Sequence, residues 1–198
     1  MKQIFILVLV AVVATACRQQ ESSTTVTDPH AGSDPSAVDT IEMMSNAGTL
    51  DMAGLRYDLP EGWTREEPSS SMRLDQATIP GPEGNGQLVV FFFGAGGGGG
   101  LEANLARWAG QVQHDVEPAR ETFDVGGFSV TTIAVEGTLL PSGMGEGPTE
   151  PQPESVLYGA VVEGEGGPWF FKATGPRGTM EAQHDAFIAM LRSVRANV

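Results

Sequence analysis

Val156-Leu157-Tyr158-Gly159-Ala160-Val161-Val162, the glycine-rich connector Gly164–Gly167, and Pro168-Trp169-Phe170-Phe171-Lys172-Ala173-Thr174 decide the fold. Both runs are apolar at odd and at even positions. A strand with one wet face would alternate, so these strands are read as buried on both sides. The connector is too short for anything but antiparallel neighbours. Leu88–Phe93 repeats the pattern. An antiparallel sheet with two buried faces needs a cover on each. Two segments have the spacing to provide it. Leu101–Gln113 carries Leu101, Leu105, Trp108 and Val112 at helical intervals, and a closing segment carries Met180, Phe187, Leu191 and Val194, with Thr179 as its expected N-cap. The expected class is therefore α+β: a three-layer α/β/α sandwich around a mainly antiparallel sheet. The expected order is four strands, a helix, four strands and a helix; a two-layer α+β fold is the fallback.

Working outward, Glu121–Val125 and Phe128–Thr138 read as a hairpin closed by Gly126-Gly127, a dipeptide suited to a tight turn. Met72–Ile79 reads as a strand ended by Pro80-Gly81-Pro82. Thr49–Met52 and Leu55–Leu59 read as a short hairpin around Ala53-Gly54. Leu139–Pro153 is an acidic loop rich in Gly and Pro. No repeat of fixed period is present.

The front of the chain has a different composition. Met1-Lys2-Gln3, the apolar run Ile4–Ala14 and Ala14-Thr15-Ala16-Cys17 match a secretory leader ending at the chain's single cysteine. That run is too short to span a hydrocarbon core, which takes ~20 apolar residues. The expectation is a signal peptide over 1–16, with Cys17 as the lipid-attachment residue and new N-terminus. Ordinary cleavage after Ala16, leaving a free thiol, is the alternative. Residues 17–47 are rich in Ser, Thr, Asp and Pro, and so read as a disordered acidic tether. Weak helical spacing appears at 37–45. The folded domain is expected over 48–198. Cleavage before Cys17 would remove Lys2 and no acid, taking the formal charge from −14 to −15. Such a surplus repels phosphate backbones, so nucleic acid is not an expected partner. A lone cysteine cannot form an intramolecular disulfide, which leaves stability to the core.

Candidate chemistry is sparse. Gly94-Ala95-Gly96-Gly97-Gly98-Gly99-Gly100 satisfies G-x-G-x-x-G at Gly94, Gly96 and Gly99, the pattern that places pyrophosphate on a helix N-terminus. Its neighbours are hairpins rather than βαβ units, so a flexible strand-to-helix connection is the preferred reading. His114-Asp115 and His184-Asp185 are the His/acid pairs of the domain. Consecutive helical residues diverge by about 100°, so neither pair is preassembled, and His184 shares a face with Met180 and Phe187 as a packed core histidine. Ser69-Ser70-Ser71 lacks a G-x-S-x-G setting, and Glu66-Glu67 reads as solvated charge. Trp63, Arg65 and Arg73 are the candidate partner surface, since Trp and Arg dominate binding hot spots. An aromatic plug under a loop is the other reading of Trp63. No catalytic residue, metal or cofactor is expected.

Pro60-Glu61-Gly62-Trp63, Ser69-Ser70-Ser71-Met72-Arg73, Phe91-Phe92-Phe93-Gly94, Arg107-Trp108-Ala109-Gly110-Gln111 and Phe170-Phe171-Lys172-Ala173-Thr174-Gly175-Pro176 resemble a group of functionally uncharacterised bacterial lipoproteins. The domain of that group is similar to the Mog1/PsbP-like α/β/α sandwich. The resemblance covers about Thr49 to Val198. It implies an accessory or adaptor role: Mog1 engages a small GTPase, and PsbP docks on photosystem II and aids ion retention. No binding residue of those proteins maps onto a position here.

Composition, leader and resemblance lead to one expectation. The chain is a non-enzymatic, lipid-anchored, monomeric binding or accessory domain on the periplasmic or extracytoplasmic face of a bacterial envelope, with an envelope protein as partner. A small-ligand or divalent-cation binder is the alternative, and a hydrolase with a spatially assembled site the second alternative.

Overall fold

The structure is a computed structural model that describes residues 53–142 and 147–197, which fall in one compact unit. Cys17, the leader 1–16, the tether 17–47, the helix expected at 37–45 and the strand expected at 49–52 lie outside the described residues.

The main sheet has eight strands: β2 (Thr64–Glu66), β3 (Arg73–Ile79), β4 (Gly86–Phe92), β5 (Val112–Gln113), β6 (Ala119–Val125), β7 (Phe128–Leu139), β8 (Gln152–Glu163) and β9 (Trp169–Pro176). Their lateral order is β2-β3-β4-β9-β8-β7, and β6 and β5 share the outer edge of β7. Two short strands, β1 (Leu55–Arg56) and β10 (Arg195–Ala196), pair apart from this sheet. Every ladder among the described residues is antiparallel. The helices are α1 (Leu101–Ala109) and α2 (Arg177–Arg192).

The doubly apolar strands do what their pattern requires. Val156, Tyr158, Ala160 and Val162 join Leu88, Val90, Trp169 and Phe171 in a core closed by Met180, Phe187, Met190 and Leu191 of α2. The residues between them, Leu157, Val161, Val89, Phe91 and Phe170, form the opposite core with Leu105 and Trp108 of α1. The three-layer expectation therefore holds. Gly159 interrupts β8 because the Trp108 indole lies against its backbone: a Cβ there would sit 2.3 Å from Cε3. At the turn between β6 and β7, Gly126 and Gly127 both take positive φ, 56° and 87°, as a tight hairpin demands.

Several elements depart from the sequence reading. The first helix stops at Ala109, and Val112 is buried as part of β5, paired with Leu139. Gly110, poor at continuing a helix, breaks the run at that point. Thr64–Glu66 is a strand that its mixed polarity concealed. Leu55–Arg56 takes Arg195–Ala196 as its partner. The observed order is thus four strands, a helix, five strands, a helix and a strand. Thr179 is not the N-cap: it lies inside α2, donating its hydroxyl to the Gly84 carbonyl at 2.7 Å. The Glu83 carboxylate from the β3–β4 turn accepts the Gly178 N–H at 2.8 Å instead, placing a negative charge at the helix N-terminus.

Helix lengths set the exposed surface. The nine residues of α1 make a rod ~14 Å long. With β5 and β6 on the outer edge of β7 the sheet has seven lateral positions, which at ~4.8 Å spacing span about 29 Å from the first to the last axis. α1 packs mainly on β8, β7 and β5; on the same face Val89 and Phe91 of β4 and Gln76 of β3 are also buried, at 3%, 9% and 5% exposure.

Candidate functional site

A groove with a cavity volume of about 560 Å³ runs along the β2, β3, β4 and β9 side of the α1 face of the sheet, bordered by Leu139, Gly147, Pro148 and Gln152. Strand register arranges its side chains in rows. Glu66, Gln76, Val89 and Lys172 lie side by side across β2, β3, β4 and β9. Thr78, Gln87 and Thr174 form the next row, and Arg73 opposes Phe91 on the other side. Val89 and Phe91 are the apolar floor, while amides, hydroxyls and two cations rise around it.

These polar groups are held in place. Arg73 Nη1 donates to Gln76 Oε1 at 2.7 Å and to Gln87 Oε1 at 3.3 Å. Gln76 Nε2 donates onward to Glu66 Oε2 at 2.9 Å, and the Thr78 hydroxyl donates to the other Glu66 oxygen. Those two donors hold the Glu66 carboxyl below its usual range. Lys172 is only 9% exposed, and its ammonium donates to Gln111 Oε1 at 3.3 Å. Glu66 and Glu67 are both exposed, as the solvated-charge reading expects, but Glu66 ends strand β2 on the groove rim instead of lying in a loop.

The three expected surface residues are divided between the faces of the sheet. Trp63 is 2% exposed; it packs in the α2-side core and donates Nε1–H to Gln183 Oε1 at 2.8 Å. This is the plug reading, and a buried indole leaves no surface for a partner. Arg65 lies on the same side, donating to Asp75 Oδ2 at 3.0 Å with its guanidinium carbon 5.6 Å from the Tyr57 ring centre. Asp75 also accepts the Tyr57 hydroxyl, so Tyr57, Asp75 and Arg65 form one buried polar network. Burial first, then the Asp75 charge, pushes the Tyr57 phenol well above 10. Arg73 alone faces the groove. Lys172, Gln76 and Gln87 were missed by the sequence reading. The available signal was Lys172 itself, a lone cation inside an otherwise apolar strand.

The other candidates resolve differently. The Gly94–Gly100 connection joins β4 to α1 with positive φ at Gly94, Gly96, Gly98 and Gly99. The Asn104 side chain ties it down by donating to the Gly98 and Gly100 carbonyls at 3.0 and 2.9 Å. It is a packed turn with no parallel βαβ unit around it. His184 is not a core residue: its side chain is 48% exposed, with its ring edge-on to Tyr158. Its Nδ1 lies 3.2 Å from Asp185 Oδ1, so these neighbours do meet, on the surface, by bending toward each other. His114 follows β5 in a turn, its Nδ1 2.9 Å from the Val116 carbonyl. It borders a second hollow, of about 450 Å³, where Arg177 bridges Glu136 and Glu154 at 3.2 Å each. Ser69–Ser71 form the turn into β3: the Ser70 carbonyl accepts the Arg73 N–H at 3.1 Å. Among the described residues no group of three or more His, Cys, Asp or Glu could hold a metal ion.

Fold and groove together define an antiparallel α/β/α sandwich with a polar, two-cation groove beside its shorter helix. No protein-family model matches the chain, and no curated protein matches it. Among solved structures it is similar to the solution structure of cyanobacterial PsbP (CyanoP) from Synechocystis sp. PCC 6803. The identity is 13% and the TM-score 0.49, over 76% of this chain and 91% of that one.

Proposed function

We propose that the chain is a non-catalytic binding or accessory domain, held by a lipid on Cys17 at the extracytoplasmic face of a bacterial envelope. The observation that carries the binding half is the groove: fixed amides and two cations stand over an apolar floor, and neither His114 nor His184 lines it. Its hydrogen bonds run among Arg73, Gln76, Gln87, Thr78 and Glu66, and none of these sets a histidine base against a nucleophile. The basic leader, its short apolar run and Cys17 at the cut support the anchoring half. Two or more acyl chains hold a protein stably, whereas one does so only marginally.

Fractionation of native cells with mass spectrometry of the mature N-terminus tests the anchor. Wild type is expected in the membrane with a diacylglyceryl adduct on Cys17, and C17S in the soluble extracytoplasmic fraction. Wild type recovered from the cytoplasm with residues 1–16 intact would overturn it. Cross-linking in membranes tests the binding role, with a reproducible envelope protein expected; recovery of none counts against it.

A further inference from the structure

We propose that the outer edge of β6 is an interface between two copies of this chain, paired antiparallel about a twofold axis through Thr122. The proposal goes beyond the binding-domain reading, does not rest on it, and replaces the monomer expected from sequence. β8 occupies one side of β7 and β6 the other. Among the described residues no strand pairs with the far side of β6, so its outward backbone groups form an open ladder. The hairpin decides which groups those are. Val125 and Phe128 flank the two-residue turn Gly126-Gly127, and such a flanking pair is hydrogen-bonded. Bonding alternates along the strand, so Phe123, Glu121 and Ala119 also bond inward. The Glu121 carbonyl accepts the Thr132 hydroxyl at 3.4 Å from that side. Arg120, Thr122 and Asp124 therefore turn N–H and C=O outward. The opposite edge of the sheet, β2, offers only three residues.

Length and charge select the occupant. β6 has seven residues, Ala119–Val125, with Thr122 at their middle. A second copy centred there opposes all seven and meets the outward groups of Thr122 with their own equivalents. Arg120 then faces Asp124 of the second copy, and symmetry repeats the pair. Both lie on the α1 side, since Arg120 opposes Ile133 of that core. Centring on Arg120 or Asp124 instead sets like charges together and leaves part of each strand unpaired. On the α2 side Glu121 of the second copy comes beside Phe123, whose ring centre lies 4.3 Å from the Arg192 guanidinium carbon. Opposite charges directly across a ladder stabilise it and like charges oppose it. Charges on an edge commonly block pairing; here their signs match under the twofold. Arg120 already donates to Glu102 Oε2 at 3.1 Å, but that pair is exposed, and a guanidinium has further N–H groups for a second carboxylate. The two edges close on each other, so the assembly stops at two copies. A contact of one short strand per copy falls below the ~1,200 Å² of stable complexes, which makes the dimer a weak one.

The test is the oligomeric state of the purified full-length chain in mild detergent, followed by sedimentation velocity across a range of concentration. Reversible dimerisation is expected, with a Kd on the order of 10 µM. R120D and D124R should each weaken it at least about tenfold, because each sets like charges together twice. The double variant R120D/D124R exchanges the pair and should restore the dimer. It also lacks the Glu102 contact, so recovery cannot come from that contact. T122P removes an outward N–H, spares the ladder to β7 and should abolish the dimer. Circular dichroism shows whether each variant folds, and the charge exchange decides should T122P not fold. Oxidation of T122C gives a second readout, with wild type alongside to account for Cys17. A disulfide-linked dimer is expected there and not in D185C, on the exposed surface of α2. The proposal is overturned if wild type stays monomeric throughout, if both single reversals leave the dimer intact, if the double variant fails to restore it, or if T122C links no better than D185C. A T122C chain that links only to a different protein overturns it too, by giving the edge another occupant. Loss of the dimer leaves the binding-domain reading to its own cross-linking test.

Discussion

Placing a methyl group on Gly159 probes how α1 is seated on the sheet. In Gly159→Ala the new Cβ would lie 2.3 Å from Trp108 Cε3, 2.7 Å from Cζ3 and 2.9 Å from Cδ2. Ordinary carbon contacts begin near 3.5 Å, so the indole must retreat by about 1.2 Å. Trp108 is 2% exposed and shares its core with Leu105, Val161 and Phe170, so the ring cannot swing out without lifting α1. Overpacking of this kind costs ~1–3 kcal/mol. Removing a strand glycine recovers roughly 0.5–1 kcal/mol by propensity. A 2.3 Å contact with a pinned ring belongs in the upper half of that overpacking range, so the net loss is about 1–2.5 kcal/mol, which lowers Tm by roughly 2–10 °C in a domain of this size. Urea and thermal unfolding should show that loss in G159A. In the W108L background the same substitution should cost markedly less, giving a coupling of at least ~0.5 kcal/mol in the double-mutant cycle. A G159A chain as stable as wild type, or an equal penalty with and without Trp108, would refute the packing argument.

Tyr57→Phe removes a donor from the buried Asp75 carboxylate and is expected to lower unfolding free energy by ~1–3 kcal/mol in urea. Glu83→Ala deletes the carboxylate that accepts the Gly178 N–H and faces the α2 N-terminus; a loss of about 0.5–2 kcal/mol is expected, with Glu83→Gln less affected. Tyr158 is pushed up to about 12 by burial and then by the Glu136 and Glu181 charges. Because its folded pKa lies above its unfolded value of ~10, the folded state holds the proton more tightly. Its contribution is therefore complete below about pH 10 and is lost as pH rises toward 12. Alkaline stability curves should be flatter in Tyr158→Phe over that window, and an unchanged slope would refute the assignment.

The candidate site was legible only in part. Arg73 was singled out, but grouped with Trp63 and Arg65, because nearness in sequence was taken for a shared surface. Strand pleating separates them: Arg65 opposes Ala77 and faces the α2-side core, while Arg73 precedes the irregularity in β3 and turns to the groove. Lys172 stood inside a run read only for its apolar content. His184 was placed in the core by helical spacing, yet α2 is wide enough to leave that position at the solvent margin beside Tyr158.

Local pattern alone determined the layered architecture. Side-chain period and turn length act within a few residues, and runs such as Val156–Val162, apolar on both pleat faces and joined by glycines, admit little but a covered antiparallel sheet. The tertiary structure decided what depends on distant neighbours. It paired Leu55–Arg56 with Arg195–Ala196, made Val112 a strand residue against Leu139, and aligned Gln76, Val89 and Lys172 from three strands into one row. It also set the nine-residue α1 over β8 and β7, to one side of the groove that Gln76, Gln87 and Lys172 line. Lateral order, register and the reach of a helix are properties of the assembled layers, and the groove exists only through them.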